Sequence, residues 1–224
     1  MSMTLVWLLC MGVPLVMGLW AQNKVKRTFE RWSQVPVGNG MTGAQAAAEV
    51  VRASGLRDVE IRSVEGRLSD HYDPRNRTLN LSADVGQAAT VAALGVAAHE
   101  AGHAIQDARG YVPMRVRQTF VPVASIGSSL AFPLIFLGFI LGSLGMVNIG
   151  LALFTAIVLF QLITLPVEFD ASRRALVALR EGGLLRTAEL DGARQVLSAA
   201  AWTYVAAFVA ALAQLLYFFL ASRR

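Results

Sequence analysis

Two histidines and a glutamate near the middle of the chain have the types and spacing of a metal-dependent hydrolytic site. In His99-Glu100-Ala-Gly-His103 the histidines are four residues apart, so on a helix both imidazoles lie on one face and can reach one zinc ion. Glu100 follows His99 directly, and its carboxylate projects beside the metal rather than onto it. It is therefore the predicted general base and then general acid of peptide-bond hydrolysis.

The alternative is a pair of unrelated histidines beside a surface glutamate. His99 and Glu100 interrupt a run of alanine, valine and leucine, where an unpaired buried carboxylate would be costly. The chain has only three histidines, and two of them are in this motif. The single cysteine, Cys10, excludes a cysteine-based metal site, and no Gly-x-Ser-x-Gly segment supports serine hydrolysis. The pattern favours catalytic zinc.

A catalytic zinc needs three protein ligands and one open position, so the third ligand must come from outside the motif. Arg109 stands where a metzincin has its further histidine, which excludes that class. Glu168 is favoured, because it opens a polar segment directly after an apolar one, where a carboxylate needs a partner. Asp170 and Asp107 are the alternatives. Asp107 would lie on the same helix as His99 and His103, and one straight helix is poorly shaped to supply all three ligands. The other interpretation pairs Glu168 and Asp170 with the two arginines that follow them.

The elements that must position these residues are largely apolar. The chain is 55% hydrophobic and 16% charged, against about 25% charged in soluble domains. Three stretches lack charge: 1–23, 118–167 and 195–222. A membrane span needs about 20 apolar residues, so the middle stretch is long enough for two. We predict a hairpin turn at 142–150 and four spans, near 4–21, 122–141, 149–166 and 197–220.

Charge places the polar segments on one side of the membrane. Segment 22–118 carries 13 Lys and Arg residues, segment 167–195 carries 5, and the hairpin turn carries none. Positive charge stays in the cytoplasm, so both polar segments are predicted there. The first apolar run is interpreted as a retained anchor rather than a signal peptide, because its basic residues follow it.

The polar segments are predicted to form a small domain with both helices and strands. Thr42 can cap a helix over 43–53, alternating patterns predict strands at 58–64 and 75–82, and another strand is expected near 66–72. Helices are predicted at 88–108 and at 167–179, the latter continuing out of the third span. The fold class is therefore an α-helical membrane protein with about four transmembrane helices and a small α+β zincin-like cytoplasmic domain. The predicted regions are an anchor at 1–21, a zinc-peptidase domain at 22–118, a transmembrane hairpin at 119–166, a third-ligand helix and loop at 167–195, and a last transmembrane helix at 196–224.

Three motifs carry a family resemblance: His-Glu-Ala-Gly-His-Ala-Ile-Gln at 99–106, Asp-His-Tyr-Asp-Pro-Arg-Asn-Arg-Thr-Leu-Asn-Leu-Ser at 70–82, and Leu-Pro-Val-Glu-Phe-Asp-Ala-Ser-Arg-Arg-Ala at 165–175. Together they resemble the YugP-type bacterial membrane zinc metallopeptidases over nearly the whole chain. The third motif also resembles the helix that carries the third zinc ligand in the HtpX and CAAX-protease group. That group has the pattern Glu-x-x-x-Asp, and its zinc-binding glutamate corresponds to Glu168. Ser172 replaces the final aspartate, so the residue that orients a ligand histidine is missing or replaced, with Asp170 as a candidate.

The resemblance also draws attention to His71 and Tyr72. An edge strand there could pair with an extended peptide, and either side chain could donate a hydrogen bond to the tetrahedral oxyanion. The alternative is a turn stabilised by Asp73 and Arg75.

The predicted function is a zinc-dependent endopeptidase of the bacterial inner (plasma) membrane. The competing class is a non-catalytic zinc-binding membrane scaffold or quality-control factor. The predicted cofactor is Zn²⁺. The predicted partners are the lipid bilayer and a peptide or membrane-protein substrate, with a homo-oligomer left open. No nucleic-acid partner is expected, because the basic residues form no stripe with interleaved aromatics.

Overall fold

The computed structural model describes residues 3–67 and 69–223. Residues 1 and 2 of the predicted anchor, residue 68 of the predicted strand at 66–72, and residue 224 of the last predicted helix lie outside the described residues. The chain divides into two compact units. One comprises Met1–Gln22, Arg115–Pro166 and Trp202–Arg224, and the other comprises Asn23–Met114 and Val167–Ala201.

The described residues form helices and three short strands. In chain order these are α1 (Met3–Trp7), a π-helical turn (Leu8–Gly12), α2 (Val13–Ser33), α3 (Gly43–Ala53), β1 (Glu60–Val64), β2 (His71–Asp73), β3 (Thr78–Ser82), α4 (Ala83–Gly86), α5 (Val91–Ala108), α6 (Val112–Ile140), α7 (Leu144–Glu181) and α8 (Thr187–Ser222).

Four helices in the described part of the chain are long and apolar enough to cross a membrane, as the composition predicts: Thr4–Ser33, α6, α7 and α8. Only 17% to 28% of the most apolar window of each is buried inside the protein. Most of their apolar side chains therefore face outward, which suits helices surrounded by lipid. In the first unit, the ring of Phe132 lies edge-on to Phe154 and Phe218, with centroids 5.1 and 6.0 Å away.

The turn between α6 and α7 is shorter than predicted. Gly142 has a φ of 65°, which ends α6 in a conformation that glycine adopts without strain. The hydroxyl of Ser143 then accepts from the amide of Met146 at 3.5 Å and begins α7. Residues 144–150, predicted to belong to the hairpin turn, are therefore helical.

In the second unit, β3 is the central strand of a mixed sheet. It pairs in parallel with β1 and antiparallel with β2, so β2 is an edge strand. The third predicted strand lies at His71–Asp73 rather than near 66–72. The reason is a bend before it, where Gly66 has a φ of 100° and the hydroxyl of Ser69 donates to the backbone oxygen of Glu65 at 2.9 Å.

The residues of chemical interest in this unit lie on α5 and on the part of α7 that begins at Val167. Helix α5 is buried along nearly its whole length, and the hydroxyl of Thr90 caps it by accepting from the amide of Ala93. It begins at Val91 rather than at 88, because Thr90 is held in a bridge with Pro36. Helix α7 runs without a break over 38 residues, so the helix predicted at 167–179 does continue out of the third span. Gly102 of α5 lies against the backbone of Ala171 in α7.

Candidate metal centre

Three predicted ligands converge where α5 meets α7. One ligand atom from each of His99, His103 and Glu168 lies within 4.8 Å of the other two. Oε2 of Glu168 is 3.2 Å from Nε2 of His99 and 3.5 Å from Nε2 of His103. Glu168 is 3% exposed and His103 is 6% exposed. A buried carboxylate facing two imidazole nitrogens is a donor set suited to one divalent cation.

The other nitrogen of each imidazole has its own partner. Nδ1 of His99 lies 3.1 Å from the hydroxyl of Ser172, and Nδ1 of His103 lies 3.0 Å from Oε1 of Gln106. Metal-binding histidines commonly donate their second ring nitrogen in this way, which fixes the ring and leaves the first nitrogen for the metal. Both Nε2 atoms are therefore the atoms available for coordination.

The donor set fits zinc. It consists of two neutral nitrogens and one carboxylate oxygen, a combination typical of catalytic zinc with a fourth position left for water. The imidazoles must be deprotonated at Nε2 to bind it. Burial by itself lowers the pKa of His103, but the hydrogen bond to Glu168 and the charges of Glu100 and Glu168 raise it above its ordinary value. The site therefore holds strong negative charge where a cation would bind.

The two alternative carboxylates are engaged elsewhere. Asp170 accepts hydrogen bonds from Gln106 and from Nε of Arg174, at 2.9 and 2.5 Å, and forms an ion pair with Arg173. Asp107 accepts from the hydroxyl of Tyr72 at 2.9 Å. The arginine pairing considered from the sequence thus applies to Asp170, whereas Glu168 faces the histidines.

Glu100, the predicted general base, is 8% exposed and lies on α5 beside the ligand histidines. Its Oε2 accepts a hydrogen bond from the backbone amide of Tyr72 at 3.0 Å. The edge strand β2 therefore holds one oxygen of this carboxylate in place.

His71 and Tyr72 both lie in β2, and each has a partner outside the ligand cluster. Tyr72 is 9% exposed, and burial together with its bond to Asp107 raises the pKa of its hydroxyl. His71 is exposed, and its Nδ1 lies 2.8 Å from the backbone oxygen of Ser69. Because a carbonyl only accepts, Nδ1 carries the proton, and Nε2 of the neutral ring has none to donate. A contribution of His71 to an oxyanion would require its protonated form.

Sequence reasoning did not identify Gln106 and Ser172 as partners of the histidines. A signal was present for each. Gln106 follows His103 by three residues and so shares its helix face. Ser172 follows Glu168 by four residues and faces the same side of α7. Ser172 occupies the place of the aspartate in the Glu-x-x-x-Asp pattern and contacts His99, while Asp170 reaches His103 through Gln106.

Comparison with known proteins identifies the group to which these features correspond. A family model described as "Putative neutral zinc metallopeptidase" matches residues 7–223. The "Putative membrane protease YugP" of Bacillus subtilis (strain 168) is 46% identical over 203 residues, which are 90% of this chain and 90% of that protein. The resemblance drawn from the three motifs is thereby confirmed. No solved structure matches the chain.

Proposed function

The chain belongs to the neutral zinc metallopeptidase family, and from that premise we propose that it is a membrane-bound, zinc-dependent endopeptidase. The observation that carries the proposal is the convergence of His99, His103 and Glu168, whose ligand atoms lie within 4.8 Å of one another. We assign the two Nε2 atoms and the Glu168 carboxylate as the ligands. Asp170 and Asp107 are set aside as ligands because both are hydrogen bonded to other groups.

Zinc bound at this site would supply a Lewis acid that polarises the scissile carbonyl and lowers the pKa of a water molecule in the open fourth position. The residues around it hold the ligands in place. Gln106 accepts the Nδ1 proton of His103, and we assign the Ser172 hydroxyl the same role toward Nδ1 of His99, 3.1 Å away. Both Nε2 lone pairs are then left for the metal.

Glu100 moves the proton. Its Oε2 accepts from the amide of Tyr72, which holds the carboxylate in place to take a proton from the attacking water. The same carboxylic acid then delivers that proton to the nitrogen of the departing amine, and the carboxylate is regenerated. The water oxygen joins the carbonyl carbon in the first of these steps, and the peptide C–N bond breaks in the second, as the proton reaches the nitrogen. His71 and Tyr72 remain candidates for contact with the substrate, because β2 is an edge strand. The amide of Tyr72 already donates to Glu100, so pairing with an extended peptide would use the other backbone groups of this edge.

We place the protein in a bacterial inner membrane with the site on the cytoplasmic side. The proposal is supported by the 18 Lys and Arg residues in segments 22–118 and 167–195, 13 and 5 respectively, and by their absence between α6 and α7. A peptide or an exposed segment of a membrane protein is the corresponding class of substrate.

The test is zinc content and casein-type proteolysis of the detergent-purified protein. We expect about one zinc per chain in the wild type, full zinc but no cleavage in Glu100→Gln, and loss of both in Glu168→Ala. Glu181→Ala is the matched control, because Glu181 lies on the same helix, is 69% exposed and should behave as the wild type.

Each contrary result has a distinct meaning. Zinc retained by Glu168→Ala would refute the ligand assignment and direct attention to Asp170 or Asp107. Zinc in the wild type without any cleavage that depends on Glu100 would favour the non-catalytic scaffold. A wild type that holds no zinc would overturn the proposal.

A further inference from the structure

Gln106 has no exposed surface, and it lies on the helix that carries both ligand histidines. Its amide nitrogen donates to the backbone oxygen of Val167 at 2.8 Å and to Oδ2 of Asp170 at 2.9 Å. Its amide oxygen lies 3.0 Å from Nδ1 of His103. A buried amide is costly unless its polar atoms are hydrogen bonded, and here both ends are satisfied.

The neighbours of this amide fix which way it faces. A backbone carbonyl and an ionised carboxylate can only accept hydrogen bonds, so the nitrogen of Gln106 must face Val167 and Asp170. Turning the amide over would place its oxygen against two acceptors. Oε1 therefore faces His103, and because Oε1 can only accept, Nδ1 of His103 must carry the proton. The lone pair of the neutral ring is then on Nε2, the atom that faces Glu168.

Asp170 is held as an acceptor by two arginines. Nε of Arg174 donates to Oδ2 at 2.5 Å, and Arg173 pairs with Oδ1. Gln106 and Arg174 thus donate to the same oxygen of Asp170, while His103 donates to Gln106. Hydrogen-bonded chains of this kind polarise their members, and an acceptor at Nδ1 makes the Nε2 of a metal ligand more basic.

We propose that Gln106 is a positioning residue of the zinc site. It selects the tautomer of His103 that is protonated on Nδ1 and aims the Nε2 lone pair at the metal. The inference rests on the proposed function only in requiring that a metal bind His103. The rival interpretation is that Gln106 merely ties α5 to α7, since Val167 and Asp170 are both in α7. The two interpretations differ in whether zinc affinity depends on the acceptor that Gln106 presents to Nδ1 of His103.

Zinc affinity, measured by competition with a chelator, separates them when the unfolding temperature of the metal-free protein is measured in parallel. Gln106→Met removes the acceptor at similar volume, and we expect zinc to bind about 10- to 100-fold more weakly, as is usual when the partner of a ligand histidine is lost. Asp170→Ala removes one of the two hydrogen bonds by which Gln106 ties α5 to α7, but the Val167 carbonyl still holds the amide nitrogen, so Oε1 still faces His103. We expect this variant to lose clearly less zinc affinity than Gln106→Met.

The control is Ser82→Ala. Ser82 has no exposed surface and is hydrogen bonded to Asp70, so its loss should lower the unfolding temperature and leave zinc affinity unchanged. Wild-type affinity in Gln106→Met would overturn the proposal, whatever its unfolding temperature. So would an Asp170→Ala variant that binds zinc as weakly as Gln106→Met, because the tie between the helices would then account for the loss. A wild type that binds zinc but cuts no peptide would refute the peptidase and leave this test intact, whereas a wild type without zinc would overturn both.

If Gln106→Met does not fold, the proposal can be tested by NMR on the wild type loaded with Co²⁺. Ligation through Nε2 leaves a buried Nδ1 proton on His103, which should give a paramagnetically shifted NMR signal that exchanges slowly with D₂O. Ser172→Ala, which removes the partner of His99, should leave that signal in place and so assign it. Absence of any slowly exchanging imidazole proton in the Co²⁺-loaded protein would overturn the proposal.

Discussion

Gly102 of α5 faces the backbone of Ala171 in α7 so closely that a methyl group on Gly102 would lie 2.6 Å from the Ala171 carbonyl oxygen. Real side chains do not approach a backbone oxygen to that distance, so only glycine allows the two helices to meet here. On α5, His103 follows Gly102 directly, and on α7, Glu168 precedes Ala171 by three residues. The contact is therefore close in the chain to both residues. The missing side chain therefore helps to set the distance between the ligand histidines and their carboxylate.

Replacing Gly102 with alanine should damage the metal site as well as the fold. Overpacking of this kind costs about 1–3 kcal/mol of stability. Pushing α7 away from α5 should also weaken zinc binding by about tenfold or more, which corresponds to about 1.4 kcal/mol. The measurements are the unfolding temperature of the metal-free protein and chelator competition for zinc.

Gly95→Ala is the matched control for that experiment. It lies on the same helix, but its added methyl group would meet the side chain of Ala193 at 3.3 Å, in a helix that supplies no ligand. We expect some loss of stability and wild-type zinc affinity. An equal loss of zinc affinity in both variants would show that general destabilisation, rather than the α5–α7 distance, is responsible.

Ser172→Ala removes the partner of His99. A neutral hydrogen bond contributes about 0.5–1.5 kcal/mol, so zinc affinity should fall by about twofold to tenfold. Ser172→Asp should have the opposite effect, because a carboxylate accepting from Nδ1 makes the ligand more basic. Chelator competition on both variants tests this. If Ser172→Ala binds zinc as the wild type does, the 3.1 Å contact with His99 is incidental.

The sequence was sufficient to predict the features that depend on local pattern. The spacing of His99 and His103, the helix cap at Thr42, and the four long apolar helices all follow from residues close together in the chain. The continuation of α7 beyond the third span was also predicted, and the helix continues through Pro166.

The remaining features depend on how two helices meet. Glu168 and Asp170 are two residues apart, so they point about 200° apart around α7, and only the packing of α7 on α5 decides which one faces the histidines. The partners Gln106 and Ser172 become evident for the same reason only once the helices are together. Strand β2 has three residues, too few for an alternating pattern to mark its position.

The hypothesis that β2 assists the substrate can be tested at His71. Loss of an oxyanion donor commonly lowers kcat by about 10²- to 10³-fold. If His71 donates to the oxyanion in its protonated form, His71→Ala should therefore lower turnover strongly and leave zinc content intact. Tyr72→Phe is the comparison, and its effect should be smaller because the Tyr72 hydroxyl already donates to Asp107. Unchanged turnover in His71→Ala would remove the hypothesis.

The metal-free and zinc-loaded proteins should respond to pH in opposite directions. In the metal-free protein, burial by itself lowers the pKa of His103, but its bond to Glu168 and the nearby carboxylates raise it overall. The charged pair then contributes stability that is fully present below the ordinary histidine pKa of about 6.5, and that is lost as the pH rises through the raised value. Zinc must displace this proton, so its affinity should continue to increase with pH above about 6.5.

The measurement is the unfolding temperature between about pH 6 and 9. As the pH rises, the stabilisation that His103 contributes should decrease in the metal-free protein, whereas the unfolding temperature of the zinc-loaded protein should increase. His103→Gln, measured metal-free beside the wild type, isolates that contribution, and a difference between the two that does not shrink as pH rises would contradict the prediction.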